Sequence, residues 1–239
     1  MEAKLPTAMG VEEAPDPGRR FPFANWGPGM AVVALLTAFV GTTALGIPVT
    51  IVDGGFEQEE VGEAASAILQ LLFAAGLLVA SYVVAAMKGA DFSQALSRLG
   101  LRGFRASALL WMLAAIGAYI AIAAVFVALI GEPEQDDIAE EFGPVWTQVL
   151  LIVFAAAISE EVAFRGLLFG GLRTRLPGWA AALISAAVFG VLHAVTGISA
   201  VPVLVAFGFI LCLLYERTGS IVPGILLHMA NNSLALAAQ

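Results

Sequence analysis

The sequence predicts an all-α, polytopic membrane protein with about seven transmembrane helices and a short cytoplasmic interfacial helix. Three observations carry that prediction. The 239-residue chain is 60% hydrophobic and only 13% charged, whereas a soluble domain carries about 25% charged residues. Its apolar residues fall into seven runs, most of them near the ~20 residues that cross a hydrocarbon core. Its basic and acidic residues segregate into alternate loops between those runs.

Residues 1–27 are polar and hold Pro6, Pro15, Pro17 and Pro22, with Glu2, Glu12, Glu13 and Asp16 beside Lys4, Arg19 and Arg20. They read as a flexible cytoplasmic tail, and residues 28–239 as a single helical membrane domain. The first run, Gly29 to Val52 with Pro48 near its outer end, is longer than the apolar core of a signal peptide, which has about 7–15 residues. Six further spans are predicted at Ala65–Met87, Ala108–Gly131, Val145–Phe169, Trp179–Val195, Ser199–Tyr215 and Ile221–Ala238. No internal repeat supports an inverted-repeat transporter.

Lys88, Arg98, Arg102 and Arg105 lie between spans two and three, Arg173 and Arg175 between four and five, and Arg217 between six and seven. The alternate loops carry Asp53, Glu57, Glu59, Glu60 and Glu63, then Glu132, Glu134, Asp136, Asp137, Glu140 and Glu141. The positive-inside rule then gives a cytoplasmic N-terminus and an outward C-terminus, with a bacterial inner membrane as the expected location. Between Lys88 and Arg105, Phe92, Leu96, Leu99, Leu101 and Phe104 alternate with the basic residues. This loop reads as an amphipathic helix at the interface, anchored on anionic lipid, with a gate or guide for substrate as the alternative. No basic patch with interleaved aromatics supports nucleic-acid binding. The single cysteine, Cys212, excludes an intrachain disulfide. With Lys4 and Lys88 as the only lysines, neither in a span, a retinal Schiff base is excluded too.

Ser159-Glu160-Glu161-Val162-Ala163-Phe164-Arg165 interrupts the fourth apolar run. One charge at the centre of a bilayer helix costs about 2.5–3.5 kcal/mol on insertion scales, so three together need a reason. Glu161 and Arg165 share a face and can pair. Glu160 has no partner in its own helix, which suits a general base; a buried structural network or a proton path is the alternative. Glu161 and His193 lie 15 and 17 residues from the middle of the Arg173–Gly178 turn, so an antiparallel hairpin places them at similar depth. Phe189 is one turn before His193. In the last span His228 and Asn232 share a face, with Asn231 turned away by about 100°. Their bland role is polar glue between helices. His228 lies only about 10 residues from the turn at Thr218 and Gly219. It matches His193 in depth only if the fourth helix breaks near Gly170 and Gly171 or the seventh starts deep.

Glu160-Glu161-x-x-x-Arg165, Phe189-x-x-x-His193 and His228-x-x-x-Asn232 together resemble the three motifs of the CAAX-prenyl-protease-2 and bacteriocin-processing (CPBP, or Abi) family of intramembrane proteases. The resemblance covers roughly residues 90 to 239. It implies an all-helical membrane endopeptidase acting on a membrane-embedded, prenylated or otherwise lipidated protein or peptide. It implies Glu160 and His193 as activators of water, His228 and Asn232 as oxyanion stabilisers, and Glu161, Arg165 and Phe189 in support. A non-catalytic immunity or binding protein of the same fold and a proton-coupled transporter are the rival readings. The family has long been labelled metalloproteases, and His193, His228 and Glu160 offer three donors for zinc. That assignment leaves Asn232 without a role, since an amide ligates zinc poorly but donates well to an oxyanion. No cofactor is therefore the preferred expectation.

Overall fold

Backbone polar groups in hydrocarbon must be satisfied within the segment, and in the computed structural model every regular element of the described residues is helical. The structure describes residues 21, 23–54, 61–133 and 139–238. The tail residues 1–20 and the acidic residues Glu57, Glu59, Glu60, Glu134, Asp136 and Asp137 lie outside them.

The helices are α1 (Pro28–Asp53), α2 (Glu63–Ala86), α3 (Phe92–Arg98) and α4 (Ala108–Ile130). They continue with α5 (Val145–Arg173), α6 (Gly178–Leu192), α7 (Val201–Thr218) and α8 (Val222–Ala237). Six stretches are long and apolar enough to cross a membrane: α1, α2, α4, α5, Gly178–Val195 and Ile198–Thr218. Their outward faces are apolar, as at Leu110 and Leu129. The protein is an integral membrane protein. The seventh expected span falls short: α8 has 16 residues, about 24 Å at ~1.5 Å per residue, against a core of about 30 Å.

The central helix is α5. Half of its apolar window is buried, compared with 6% for α4. The α1–α2 pair, α6 and α8 pack around it, while α4 lies outside against α7 and α8. Small residues let α6 and α7 come close: a β-carbon on Gly208 would lie 3.2 Å from the Ala186 backbone, and one on Gly190 would lie 3.1 Å from the Val201 carbonyl. The chain before α1 also packs here. Phe23, Ala24 and Trp26, assigned to the tail by composition, are buried, and Trp26 Nε1 donates to the Leu167 carbonyl at 2.9 Å.

The interfacial helix forms as expected and is better fixed than its amphipathicity alone requires. Asp91 and Gln94 close a capping box, with Gln94 N donating to Asp91 Oδ1 at 2.8 Å and Asp91 N to Gln94 Oε1 at 3.1 Å. Arg98 donates to the Ala85 and Met87 carbonyls at the end of α2, so this basic residue caps a helix as well as facing the interface.

The depth question resolves in favour of a deep start for α8, because α5 runs unbroken through Gly170 and Gly171. The chain after α3 turns inward at Gly100, whose φ of 84° favours glycine. Its carbonyl accepts from Ile221 N at 3.0 Å, and the Arg102 carbonyl accepts from Ser220 Oγ at 2.6 Å. Gly166 makes room for this loop, and Gly170 lies in ordinary contact with Ala24 and Trp26. The small-residue pair on α5 therefore admits loop and pre-helix chain, where a neighbouring helix was expected.

A β-carbon on Gly166 would lie 2.7 Å from the Leu99 carbonyl oxygen, a backbone atom that cannot swing aside, whereas one on Gly117 would meet nothing within 4 Å. Gly166→Ala should therefore destabilise the detergent-solubilised protein by about 1–3 kcal/mol, read as a lowered melting temperature, with Gly117→Ala neutral. An unchanged melting temperature for Gly166→Ala would mean that the loop is not seated there.

Candidate active site

Two stretches of α5, Val149–Ala156 and Glu161–Phe169, are wound as wide π-type turns. Such turns recur at functional sites because they re-aim side chains and release carbonyls from the regular ladder. Glu161 and Arg165 lie in the second stretch and are both fully buried. Arg165 Nη1 approaches Glu161 Oε1 to 2.7 Å, the predicted pair. The approach is short but poorly aligned for an N–H···O bond, and Glu161 Oε2 has no donor among the described residues. The attraction is thus mainly coulombic. The guanidinium gains a second support from the face of Phe189, 4.5 Å to the ring centroid.

His228 joins this pair. Its Nδ1 lies 3.0 Å from the same oxygen, Glu161 Oε1. A carboxylate oxygen only accepts, so Nδ1 carries the proton and Nε2 is turned toward Glu160, 3.7 Å from Oε2. Glu161 therefore orients an imidazole across helices in addition to holding Arg165. Phe189 and Phe207 pack edge-on against the His228 ring at 5.9 and 5.4 Å.

His193 ends α6. Its Nδ1 lies 2.8 Å from the Phe189 carbonyl, which again only accepts, so Nε2 is the nitrogen free to take a proton. The His193 ring packs on Phe189 at 4.6 Å. Phe189 touches both histidines and Arg165, which explains why one aromatic stands one turn before His193.

Glu160, His193, His228 and Asn232 line one cavity of about 240 Å³, together with Asn231 and Gln70. At about 30 Å³ per water in the liquid, the space holds several waters. Among the described residues no hydrogen bond joins Glu160 to His193; they meet across the cavity. Asn232 Nδ2 donates to the Ile152 carbonyl at 2.9 Å, which commits one of its two amide protons to α5. Asn231, read from the helical wheel as turned away, also lines the cavity and sits 3.5 Å from Asn232 Oδ1. Gln70 had one visible signal, an amide in the middle of an apolar run. Among the described residues no three His, Cys, Asp or Glu side chains are grouped to hold a metal ion. Each histidine commits Nδ1 and keeps Nε2, as a metal-ligating histidine also would, and the donor set Glu160, His193 and His228 does not form such a group.

Removing the Glu161 carboxylate would leave Arg165 buried without its counter-charge and His228 without its acceptor, a loss of about 3–5 kcal/mol. Glu160 has the cavity beside it and lends the fold little. Glu161→Ala should yield little folded protein while Glu160→Gln keeps the wild-type elution profile and melting temperature. The reverse outcome would exchange the roles of the two glutamates.

Comparison with known proteins adds an independent line. Residues 142–234 match the family model described as type II CAAX prenyl endopeptidase Rce1-like. Over 91 residues the chain is 31% identical to "Putative membrane peptidase YdiL" of Bacillus subtilis (strain 168), covering 38% of this chain. The chain thus spans 36% of the length of that curated relative. No solved structure matches the chain. Residues 142–234, the part of the chain similar to the Rce1-like family, carry Glu160, His193, His228 and Asn232.

Proposed function

We propose that the protein is an intramembrane endopeptidase that hydrolyses a peptide bond of a membrane-embedded or lipidated protein substrate. The observation that carries this reading is the convergence of Glu160, His193 and His228, all from the family-matched segment, on one cavity with room for several waters. A water between Glu160 and His193 loses its proton to the carboxylate or to His193 Nε2 and attacks the scissile carbonyl. His228 Nε2, aligned by the Glu161 bond to Nδ1, takes over the water's proton from Glu160, 3.7 Å away, and with it donates a hydrogen bond to the oxyanion. The second amide proton of Asn232 adds to it. Collapse of the tetrahedral intermediate breaks the C–N bond and passes the proton taken from the water to the leaving amine. Each step uses the chain's own groups.

The orientation proposed is a cytoplasmic N-terminus and an outward C-terminus, supported by the alternation of basic and acidic loops. Cysteines placed at Arg102 and at Glu59 or Asp136 should be labelled from opposite sides. Labelling of Glu59→Cys from the cytoplasmic side alone would sink this topology.

Turnover tests the chemistry. Peptides released from membranes carrying the wild-type chain should be absent with Glu160→Gln and be identified by mass spectrometry of the difference. Asn232→Ala should lower kcat by about 100- to 1000-fold with KM nearly unchanged, because an oxyanion donor acts only in the transition state. His193→Ala should cost at least as much. Elemental analysis of active, chelator-treated enzyme should find no stoichiometric metal; one tightly held zinc per active chain, lost in His193→Ala or His228→Ala, would replace this mechanism with a zinc-based one. Identical peptide profiles for wild type and Glu160→Gln would favour a binder that keeps the site without turnover.

A further inference from the structure

A second cavity shares no lining residue with the first. It has a volume of about 540 Å³ and lies among the α3–α4 loop, the start of α4 and the α7–α8 turn. Arg102, Arg105 and Arg217 line it with Phe23, Phe104 and Trp111, and no Asp or Glu is among its lining residues. The chain carries a net charge of −8, so three guanidiniums around one hollow do not follow from overall basicity. Arg102 and Arg105 share one loop, and Arg217 comes from a turn more than 100 residues later, which hides the grouping from a linear scan.

These arginines are held differently from Arg165 and Arg173. Arg165 and Arg173 are each answered by a carboxylate, Glu161 and Glu216, at 2.7 Å. Arg102, Arg105 and Arg217 have no carboxylate within ion-pair distance among the described residues. Aromatic faces hold two of them: Arg102 stacks 3.6 Å over Phe23, and Arg217 lies 5.1 Å over Trp111. Arg102 Nη2 is further pinned by the Ser97 carbonyl and Oγ at 3.0 and 2.6 Å, and its Nε is buried without a partner among the described residues. Burial pulls the Arg102 pKa below the usual arginine value, only partly opposed by Tyr215. Positive charge is thus positioned in advance and left uncompensated.

We infer that this cavity binds the phosphate of an anionic phospholipid headgroup. Guanidiniums suit phosphate because their paired N–H groups match its oxygens, and basic pockets between membrane helices take up anionic headgroups. The wall argues for a lipid over a free phosphate. Leu109, Leu110 and Trp111 begin α4 beside the cavity, 56%, 70% and 44% exposed, and α4 is the least buried of the spans. Acyl chains can run along that helix while the headgroup sits among the arginines, with Trp111 at the level where tryptophan collects in bilayers. The loop that would hold the phosphate also clamps α8, through the Gly100 and Arg102 carbonyls. Occupancy would therefore stabilise the whole chain by mass action.

The full chain in neutral detergent can be titrated with phosphatidylglycerol, phosphatidylcholine or inorganic phosphate, with native mass spectrometry and melting temperature as readouts. Phosphatidylglycerol should bind one per chain and raise the melting temperature, and the other two should do neither at equal concentration. Arg105→Gln with Arg217→Gln, both exposed positions, should weaken phosphatidylglycerol binding by about tenfold or more. Lysine at both positions should keep most of it. Should the glutamine pair fold poorly, either single glutamine variant must still bind more weakly. Unchanged binding in the variants overturns the inference. So does equal stabilisation by phosphatidylcholine, and so does equal stabilisation by inorganic phosphate, which would make this a site for the free ion.

Discussion

One carboxylate oxygen, Glu161 Oε1, receives both Arg165 from its own helix and His228 from α8. A carboxylate this deeply buried has no water to turn to, and an isolated ion there would cost several kcal/mol. The two partners offset that cost together. In a low-dielectric interior the attraction is strong enough to dictate where the elements sit. The pull of that oxygen on His228 ties α8 to α5, and Phe189 packs over the Arg165 that shares it.

The wide turns of α5 belong to the same arrangement. A carbonyl that leaves the regular ladder must be met in a dry interior, and three carbonyls of these stretches accept from neighbours. Asn232 of α8 donates to Ile152, Ser185 of α6 to Phe164, and Trp26 ahead of α1 to Leu167. These bonds fix three elements against α5 at set heights. Ser185 stands two turns before His193 on α6, so its bond to Phe164 fixes the height at which Phe189 and His193 arrive.

What could be read in the sequence is what depends on one helix at a time. Apolar run length located six spans to within a few residues, and spacing of four paired Glu161 with Arg165. The three motif pieces fell on the helices that line the cavity. What could not be read depends on two elements at once. The deep start of α8 is set by Ile221 and Ser220 binding carbonyls about 120 residues earlier, and nothing in the last run announces it. Asn231 lines the cavity although an ideal wheel turns it away from His228. Gln70 was visible as an anomaly in α2, but only packing shows what it faces.

Gln70 also bears on how the matched segment relates to the rest of the chain. Residues 142–234 carry the glutamates, histidines and asparagines, yet the site they make is closed by earlier residues. Gln70 and Phe73 of α2 supply one wall of the cavity. Trp26 satisfies a carbonyl of α5, and its ring with Ala31 fills the space beside Gly171. The Leu99 carbonyl seats against Gly166, and Gly100 accepts the first bond of the α8 entrance. Stripped of these, the C-terminal helices would hold three buried ionisable groups beside open carbonyls facing lipid. Such groups are tolerated in a membrane only where protein or a water-filled cavity surrounds them. The N-terminal helices are therefore part of the site's construction: they exclude lipid from it and leave a space in which water can stay.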